Sequence, residues 1–489
     1  MRIWGLLFAL VSSLATLAFG DFGENFATSR MAAIAVMVSV LWITEAIPLA
    51  ATALLPLVLF PLLGITSTKE VAGQYMNSVV FLLIGGFMIA LAMERWNLHK
   101  RVALSVLSAF GGQPFRLLLG FVVATAALSM WISNTATTLV MLPIALAILN
   151  RFEASLSPEQ ERKFALGLML AIAYSASIGG MMTPIGTAPN LIFLRFYETA
   201  SGAIGPIGFA EWLMLVVPIG VSMLGLLVIY LGVLFCRNIP VSDSMHDLVL
   251  AEKYNLGKMS REEKVVAYVF ALTAMLWISR VGFDIGGFSI SGWQNLLPNG
   301  ELLDDASVAI LMAFILFLVP ARLENGKTTF ILDAEVFKRL PWSVVILFGG
   351  GFALAHGFVE SGLSAFIARR LTVLENTDAT ILVALIASGM TFLTELTSNT
   401  ATTQLVLPIL NSAAEALRLP PLWVMLPATL SASCAFMLPV ATPPNAIVFG
   451  TGKLRVIDMV KCGFVLNLIG ILIITSFCSY LIPIVLKVD

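Results

Sequence analysis

The hexapeptide SNTATT stands at Ser133–Thr138 and again, letter for letter, at Ser398–Thr403, each time inside a long apolar stretch. It is one of four echoes that run in the same order through the two halves of the chain. LWITE (41–45) returns as LWISR (276–280), and LIGGFMIALAMERWNLHKRVAL (83–104) more loosely as LFGGGFALAHGFVESGLSAFIA (347–368). SNTATTLVMLPI (133–144) returns as SNTATTQLVLPI (398–409), and TPIGTAPNLIF (183–193) as LPVATPPNAIVF (438–449). Self-similarity in fixed order marks a duplicated structural unit. The division that follows is an N-terminal helix and loop at 1–30, a first repeat at 31–236, a charged linker at 237–264 and a second repeat at 265–489.

The medium in which these repeats fold is set by composition. The 489 residues are 59% hydrophobic and 12% charged, with mean hydropathy +0.95, whereas a soluble domain carries about 25% charged residues. Uncharged apolar runs recur at 31–44, 46–68, 71–93, 212–236, 306–321 and 462–486, which predicts an all-α polytopic membrane protein embedded in a lipid bilayer. The runs are continuous, not alternating, which argues against a transmembrane barrel. A net charge of −1 and the lack of a basic block give no footing for nucleic acid. Cys236, Cys434, Cys462 and Cys478 form no CxxC pair, and His99, His246 and His356 are scattered, so neither a disulfide frame nor a His-based metal site is expected. No HExxH or GxSxG motif occurs and no His lies near either SNT, so the chain is not expected to be an enzyme. The first twenty residues have a signal-peptide look, but a single Arg and a poor cleavage site favour a retained first helix.

Segment 117–150 has no charge over 34 positions. As one helix it would be about 51 Å long, too long for a hydrocarbon core of about 30 Å. Split at SNT it gives two arms of about 24 Å each, too short to cross comfortably. A re-entrant hairpin with SNT at its tip satisfies both limits, and 379–414, with Glu395 as its one charge, reads the same way. The motifs TPIGTAPN and LPVATPPN put Pro and small residues inside apolar segments, which predicts broken helices over 164–199 and 421–452. Eleven crossings and two hairpins then give a cytoplasmic N-terminus and an external C-terminus. The segments placed inside by that count (the N-terminus, 95–116, 151–163, 237–264, 322–339 and 453–461) hold 20 of the 28 Lys and Arg residues, as the positive-inside rule requires. An odd number of crossings inverts the second repeat, so the SNT tips meet from opposite faces, with a site at the midplane.

Ser, Asn and Thr cap helix N-termini, and a helix N-terminus aimed at mid-membrane attracts anions. Each break frees carbonyls for a cation and begins a new helix whose N–H groups suit an anion. No Lys or Arg lies in either motif, so an anion there must be balanced by helix termini and co-bound cations, and filling the cation sites raises anion affinity. Taken singly, such residues often only join neighbouring helices. Two identical hexapeptides, each followed by a Pro-broken xTxPN, point to a site. Elsewhere the plainer readings hold: Met and Phe pack, RWNLHKR (95–101) is an inner-surface helix, and Glu45 and Glu94 sit at helix ends. Glu395 is left open between an intramembrane role and a water-facing hairpin position.

The SNT tips, the GTAPN and ATPPN breaks and ALAMERWNLHKRVAL together resemble the divalent anion/sodium symporter family, the INDY-type dicarboxylate transporters, over nearly the whole chain. The resemblance implies a homodimeric elevator transporter of the inner membrane. It further implies that Na+ moves together with C4-dicarboxylates such as succinate, malate and fumarate, or with citrate or sulfate in some members. By motif position it implies a first Na+ site at Ser129, Ser133, Asn134 and Gly186 and a second at Thr394, Thr397, Asn399 and Ala441, partly through backbone carbonyls. It implies substrate contacts from Asn134, Thr135, Asn399 and Thr400 at the tips and Thr187, Thr442 and Pro443 at the breaks. Ala188 stands where the second break has Pro443, so the halves are not equivalent. A Na+-independent exchanger is the nearest alternative within the same resemblance; a channel fits less well, because opposed tips suit alternating access.

Overall fold

The computed structural model describes residues 2–486 apart from 21, 23–24, 111–112, 153–155, 201–206, 238, 240–243, 286–287, 323–325 and 372–376. The chain starts with α1 (Arg2–Phe19), which packs on α2 (Phe26–Thr44), followed by α3 (Leu49–Ala53), α4 (Leu55–Leu62), α5 (Thr68–Gly73), α6 (Ser78–Arg95) and α7 (Leu98–Phe110). Next come α8 (Pro114–Ser129), α9 (Asn134–Phe152), α10 (Pro158–Met181), α11 (Ala188–Ala200) and α12 (Phe209–Leu231), which runs on through a π turn at Gly232–Cys236. The described part of the linker holds α13 (Ser244–Asn255); positions 238 and 240–243 of that expected segment lie outside the described residues. The second half has α14 (Arg261–Ile278), α15 (Asp305–Leu318), α16 (Glu335–Arg339), α17 (Trp342–Glu360) and α18 (Leu363–Leu371). It ends with α19 (Ala379–Thr394), α20 (Asn399–Leu417), α21 (Leu422–Ala432), α22 (Pro443–Phe449) and α23 (Val456–Leu486). Among the described residues six helices are long and apolar enough to cross a membrane, and seven shorter apolar ones accompany them.

Two of the apolar runs are subdivided. The run 46–68 is not one helix: it divides into α3 and α4, and Gly64, at φ +68°, ends the second piece. The run 71–93 divides at 74–77, where the Asn77 side chain accepts the Val80 N–H and opens α6. Hydropathy alone is blind to such caps, because the residues on both sides stay apolar. The helical class stands, with one small addition. Two antiparallel ladders, β1 (Gly282–Ile285) with β2 (Phe288–Ser291) and β3 (Pro320–Arg322) with β4 (Thr328–Phe330), lie in the connections on either side of α15.

The centre of the molecule is α10, buried without interruption from Phe164 to Met181 and packed against α8, α9, α12 and α22. A helix apolar all round belongs in such a place. A smaller core joins α2, α4, α17 and α18 through Met31, Trp42, Phe60, Leu354, Phe358 and Leu363. Small residues let the helices approach: a Cβ on Gly85 of α6 would stand 2.6 Å from Ala309 Cβ of α15, and one on Gly351 of α17 would stand 2.5 Å from the Gln404 side chain of α20. Gln404 Nε2 also donates to Leu347 O at 2.9 Å, tying α20 to α17.

Segments rich in Lys and Arg are tied to one another. Arg95 pairs with Asp333 at 2.8 Å, Arg101 grips Glu263 with two bonds of 3.0 Å, and Arg322 N donates to Glu262. These contacts join 95–116, 237–264 and 322–339. Lys453 pairs with Glu161 at 3.0 Å and Arg162 with Asp458 at 3.6 Å, joining 151–163 to 453–461. RWNLHKR is resolved into the last turn of α6, Asn97 in the left-handed region (φ 57°) and the start of α7. Asn tolerates that region better than most residues.

Candidate functional site

The first SNT motif joins α8 to α9 through a break at 130–133. Ser133 caps α9, its Oγ accepting the Ala136 N–H at 3.2 Å. Asn134 does not cap. Its Oδ1 turns back to Ser129 Oγ at 2.7 Å, and the same Oγ lies 2.7 Å from Ala176 O. The second motif repeats this arrangement: Thr394 Oγ1 lies 2.6 Å from Asn399 Oδ1 and 2.9 Å from Ala432 O. Each hydroxyl has one hydrogen to offer two carbonyl-type oxygens, so each cluster has more lone pairs than protons. Ser398 makes no side-chain cap bond, so of the capping expected at the tips only Ser133 supplies it, and the two asparagines point at hydroxyls instead.

Around the first tip the oxygens crowd further. A Cβ on Gly180 would run into Asn134 Oδ1; one on Gly186 would run into Gly180 O and stand 2.9 Å from Ser129 O. Only glycines fit there. Hydroxyl, carboxamide and carbonyl oxygens without a nearby side-chain cation are hard neutral ligands of the kind an alkali cation takes, so the residues present fit a bound Na+.

The breaks carry their own supports, which the sequence reading did not single out. Asn190 Nδ2 donates to Thr183 O (2.7 Å), Met181 O (3.1 Å) and Gly180 O (3.2 Å). At the matching place Asn445 Nδ2 donates to Ala435 O and Leu438 O, both at 3.0 Å. Both carboxamides are fully buried, and among the described residues both Oδ1 atoms have no hydrogen-bond partner. The signal was available in the Asn that closes TAPN and TPPN. Glu395 is also resolved: it is buried, and it accepts N–H groups from the second break, so it does not face water.

Both tips and both breaks line one cavity of about 740 Å³. Ser133, Asn134, Thr135, Gly186 and Thr187 line it from the first half, and Thr397, Asn399, Thr400, Ala441, Thr442 and Pro443 from the second. Ser129 and Thr394 sit behind the tips, fully buried. Thr397 turns its hydroxyl to Leu393 O at 2.8 Å and towards Thr402. The opposite wall comes from Leu83, Gly86 and Phe87 of α6, with Trp131 beside the first tip. The lining reaches Glu45, whose φ of 47° ends α2, and Val344 in the first turn of α17. Glu45 is at a helix end as expected, and it also faces the cavity. Among the described residues no Lys or Arg lines the space, while α9, α11, α20 and α22 all begin at it. Each helix start acts as roughly half a positive charge, so together they suit a small dianion.

Comparison with known proteins shows the family and the fold. Residues 2–486 match the family model described as the sodium:sulfate symporter transmembrane region. The chain is 43% identical over 462 residues to the sodium-dependent dicarboxylate transporter SdcS of Staphylococcus saprophyticus, covering 94% of this chain and 86% of the relative. The same figures hold for SdcS of Staphylococcus aureus strain MRSA252. Among solved structures, the YdaH transporter of Alcanivorax borkumensis superposes with TM-score 0.56 at 13% identity, covering 85% of this chain and 87% of that one. MtrF of Neisseria gonorrhoeae gives the same score and identity over 98% and 94%. At that identity the likeness concerns the fold alone.

Proposed function

From the premise that the chain belongs to the sodium:sulfate symporter family, we propose that it is a secondary active transporter, a Na+-coupled symporter of C4-dicarboxylates such as succinate, malate and fumarate. The observation that carries this reading is the matched pair of oxygen clusters, Ser129–Asn134–Ala176 and Thr394–Asn399–Ala432, flanking one cavity that no Lys or Arg lines among the described residues. The close relatives named as sodium-dependent dicarboxylate transporters support the substrate class.

In this mechanism Na+ occupies the first cluster with Ser129, Ser133, Asn134 and Gly186, and the second with Thr394, Thr397, Asn399 and Ala441. Each cation draws a tip and a break together and adds positive potential beside the cavity. The dicarboxylate then bridges the halves, with one carboxylate at Asn134, Thr135 and Thr187 and the other at Asn399, Thr400, Thr442 and Pro443. Cation and anion binding strengthen each other by the same factor, as linkage requires. Eleven crossings with two opposed re-entrant hairpins, α8–α9 and α19–α20, keep the N-terminus cytoplasmic and the C-terminus external. In that orientation a cavity reaching Glu45 and Val344 opens inward. Transport moves the tips, the breaks and α10 as one elevator body against α2–α6 and α14–α17, in a homodimer of the inner membrane.

The substrate class is tested by competition against labelled succinate uptake in proteoliposomes. Malate and fumarate are expected to compete at concentrations close to that of unlabelled succinate, with sulfate and monocarboxylates far weaker. Stronger competition by sulfate or citrate than by the C4 acids would overturn this choice of substrate.

A further inference from the structure

The two breaks are fastened to their tips by different chemistry. In the first half the Thr183 hydroxyl donates to Met130 O, and its oxygen receives the Gly186 N–H at 3.1 Å. That break is short, running over 182–187 between α10 and α11. The second runs over 433–442, and the longer unwound stretch leaves more backbone N–H groups without helical partners. The residue matching Met130, one place after the tip hydroxyl, is Glu395. Its Oε1 accepts Phe436 N–H at 2.7 Å and Met437 N–H at 2.8 Å, and its Oε2 accepts Leu438 N–H at 3.0 Å. Asn467 of α23 adds a fourth bond, Nδ2 to Oε1 at 2.8 Å. The side chain is 3% exposed and, among the described residues, forms no ion pair.

The bonds lead onward to the site. Leu438, held through its N–H, accepts at its carbonyl the Ala441 N–H at 3.2 Å and Asn445 Nδ2 at 3.0 Å. Thr394, next in sequence to Glu395, holds Asn399 Oδ1. One carboxylate therefore stands between the tip and the turn that together make the second oxygen cluster. We propose that Glu395 is a positioning residue for the second cation site: its carboxylate fixes the 438–441 turn, and with it the Ala441 carbonyl, against the Asn399 tip. The inference rests on the Na+-symport reading above. It assigns the halves unequal means, a neutral hydroxyl in one and an anion in the other, with charge-assisted bonds being the stronger.

The test compares Glu395→Gln with wild type in two measurements. Amide hydrogen exchange without Na+ reports the turn itself, and the variant is expected to lose protection in 436–441 while the 180–187 segment keeps it. Uptake kinetics report the consequence. The Na+ concentration for half-maximal succinate uptake is expected to rise about tenfold, the scale of one or two lost charge-assisted bonds. The Na+ dependence should become less steep, and succinate KM at saturating Na+ should stay near the wild-type value. Unchanged exchange, or a lower maximal rate with wild-type Na+ half-saturation, overturns the proposal. If wild-type uptake itself ignores Na+, the symport reading fails, and the exchange result alone decides whether Glu395 positions the turn. Should Glu395→Gln not fold, Glu395→Asp keeps the charge with a shorter reach and is read by the same two measurements.

Discussion

Asn134→Ala and Asn399→Ala are each expected to abolish Na+-driven succinate uptake while leaving folded protein at normal yield. Each asparagine begins a helix, α9 or α20, and alanine is at least as good a helix former there, so the backbone has no reason to rearrange. What is lost is Oδ1, which faces Ser129 Oγ at 2.7 Å in one half and Thr394 Oγ1 at 2.6 Å in the other, together with the Nδ2 group beside the cavity. The account gives each side chain two roles, one towards Na+ and one towards substrate. Losing two interactions with charged partners costs about 3–6 kcal/mol, a fall in kcat/KM of more than about 100-fold. Initial rates of labelled succinate uptake, with thermal melting to confirm folding, measure this. Wild-type-like transport by either variant would sink the site assignment.

Gly186→Ala is expected to remove function nearly as completely by a different route. The added methyl would run into Gly180 O and stand 2.9 Å from Ser129 O. Those neighbours are backbone atoms of the break and of the first tip, and they cannot swing aside as a side chain would. The first oxygen cluster has to open, so uptake should drop at least about tenfold, and raising Na+ should restore only part of it. Gly225→Ala, where nothing lies within 4 Å of the new Cβ, is the matched control and should transport normally. Equal rates for the two variants would show that the Gly186 cradle has no part in the cycle. The matching position in the second half already carries a Cβ, as Ala441. Its longer break is arranged differently, so the prediction does not extend there.

How far the sequence carried the fold depended on the range of the physics involved. The division of each charge-free stretch at SNT was legible because its length and the thickness of a bilayer are both one-dimensional quantities; α8 and α19 end at Ser129 and Thr394, just before each tip. The breaks were legible because Pro stands there among Gly, Ala and Thr, residues that end helices and cap new ones, whereas Pro143 and Pro408 alone leave α9 and α20 continuous. The interruptions at Leu54 and at 74–77 were not, since apolar residues on both sides hide a cap. The two small β-ladders lie in connections, where hydropathy says little. At the site, the residues facing the cavity could be read from the repeated letters, but their division of labour could not. Asn190 and Asn445 were passed over because the carbonyls they hold belong to a break whose shape appears only on folding. Glu395 could not be assigned because its partners lie 41 to 43 and 72 residues further on.

The central claim is that two cation clusters flank one anion cavity and that filling them drives uptake. It is met most directly by labelled succinate uptake into empty proteoliposomes, with an inward Na+ gradient compared with choline. The account predicts accumulation that requires Na+ and rises with a steepness greater than one in Na+ concentration. Uptake that ignores Na+ and appears only when dicarboxylate is preloaded inside would contradict it, and would make the protein an exchanger.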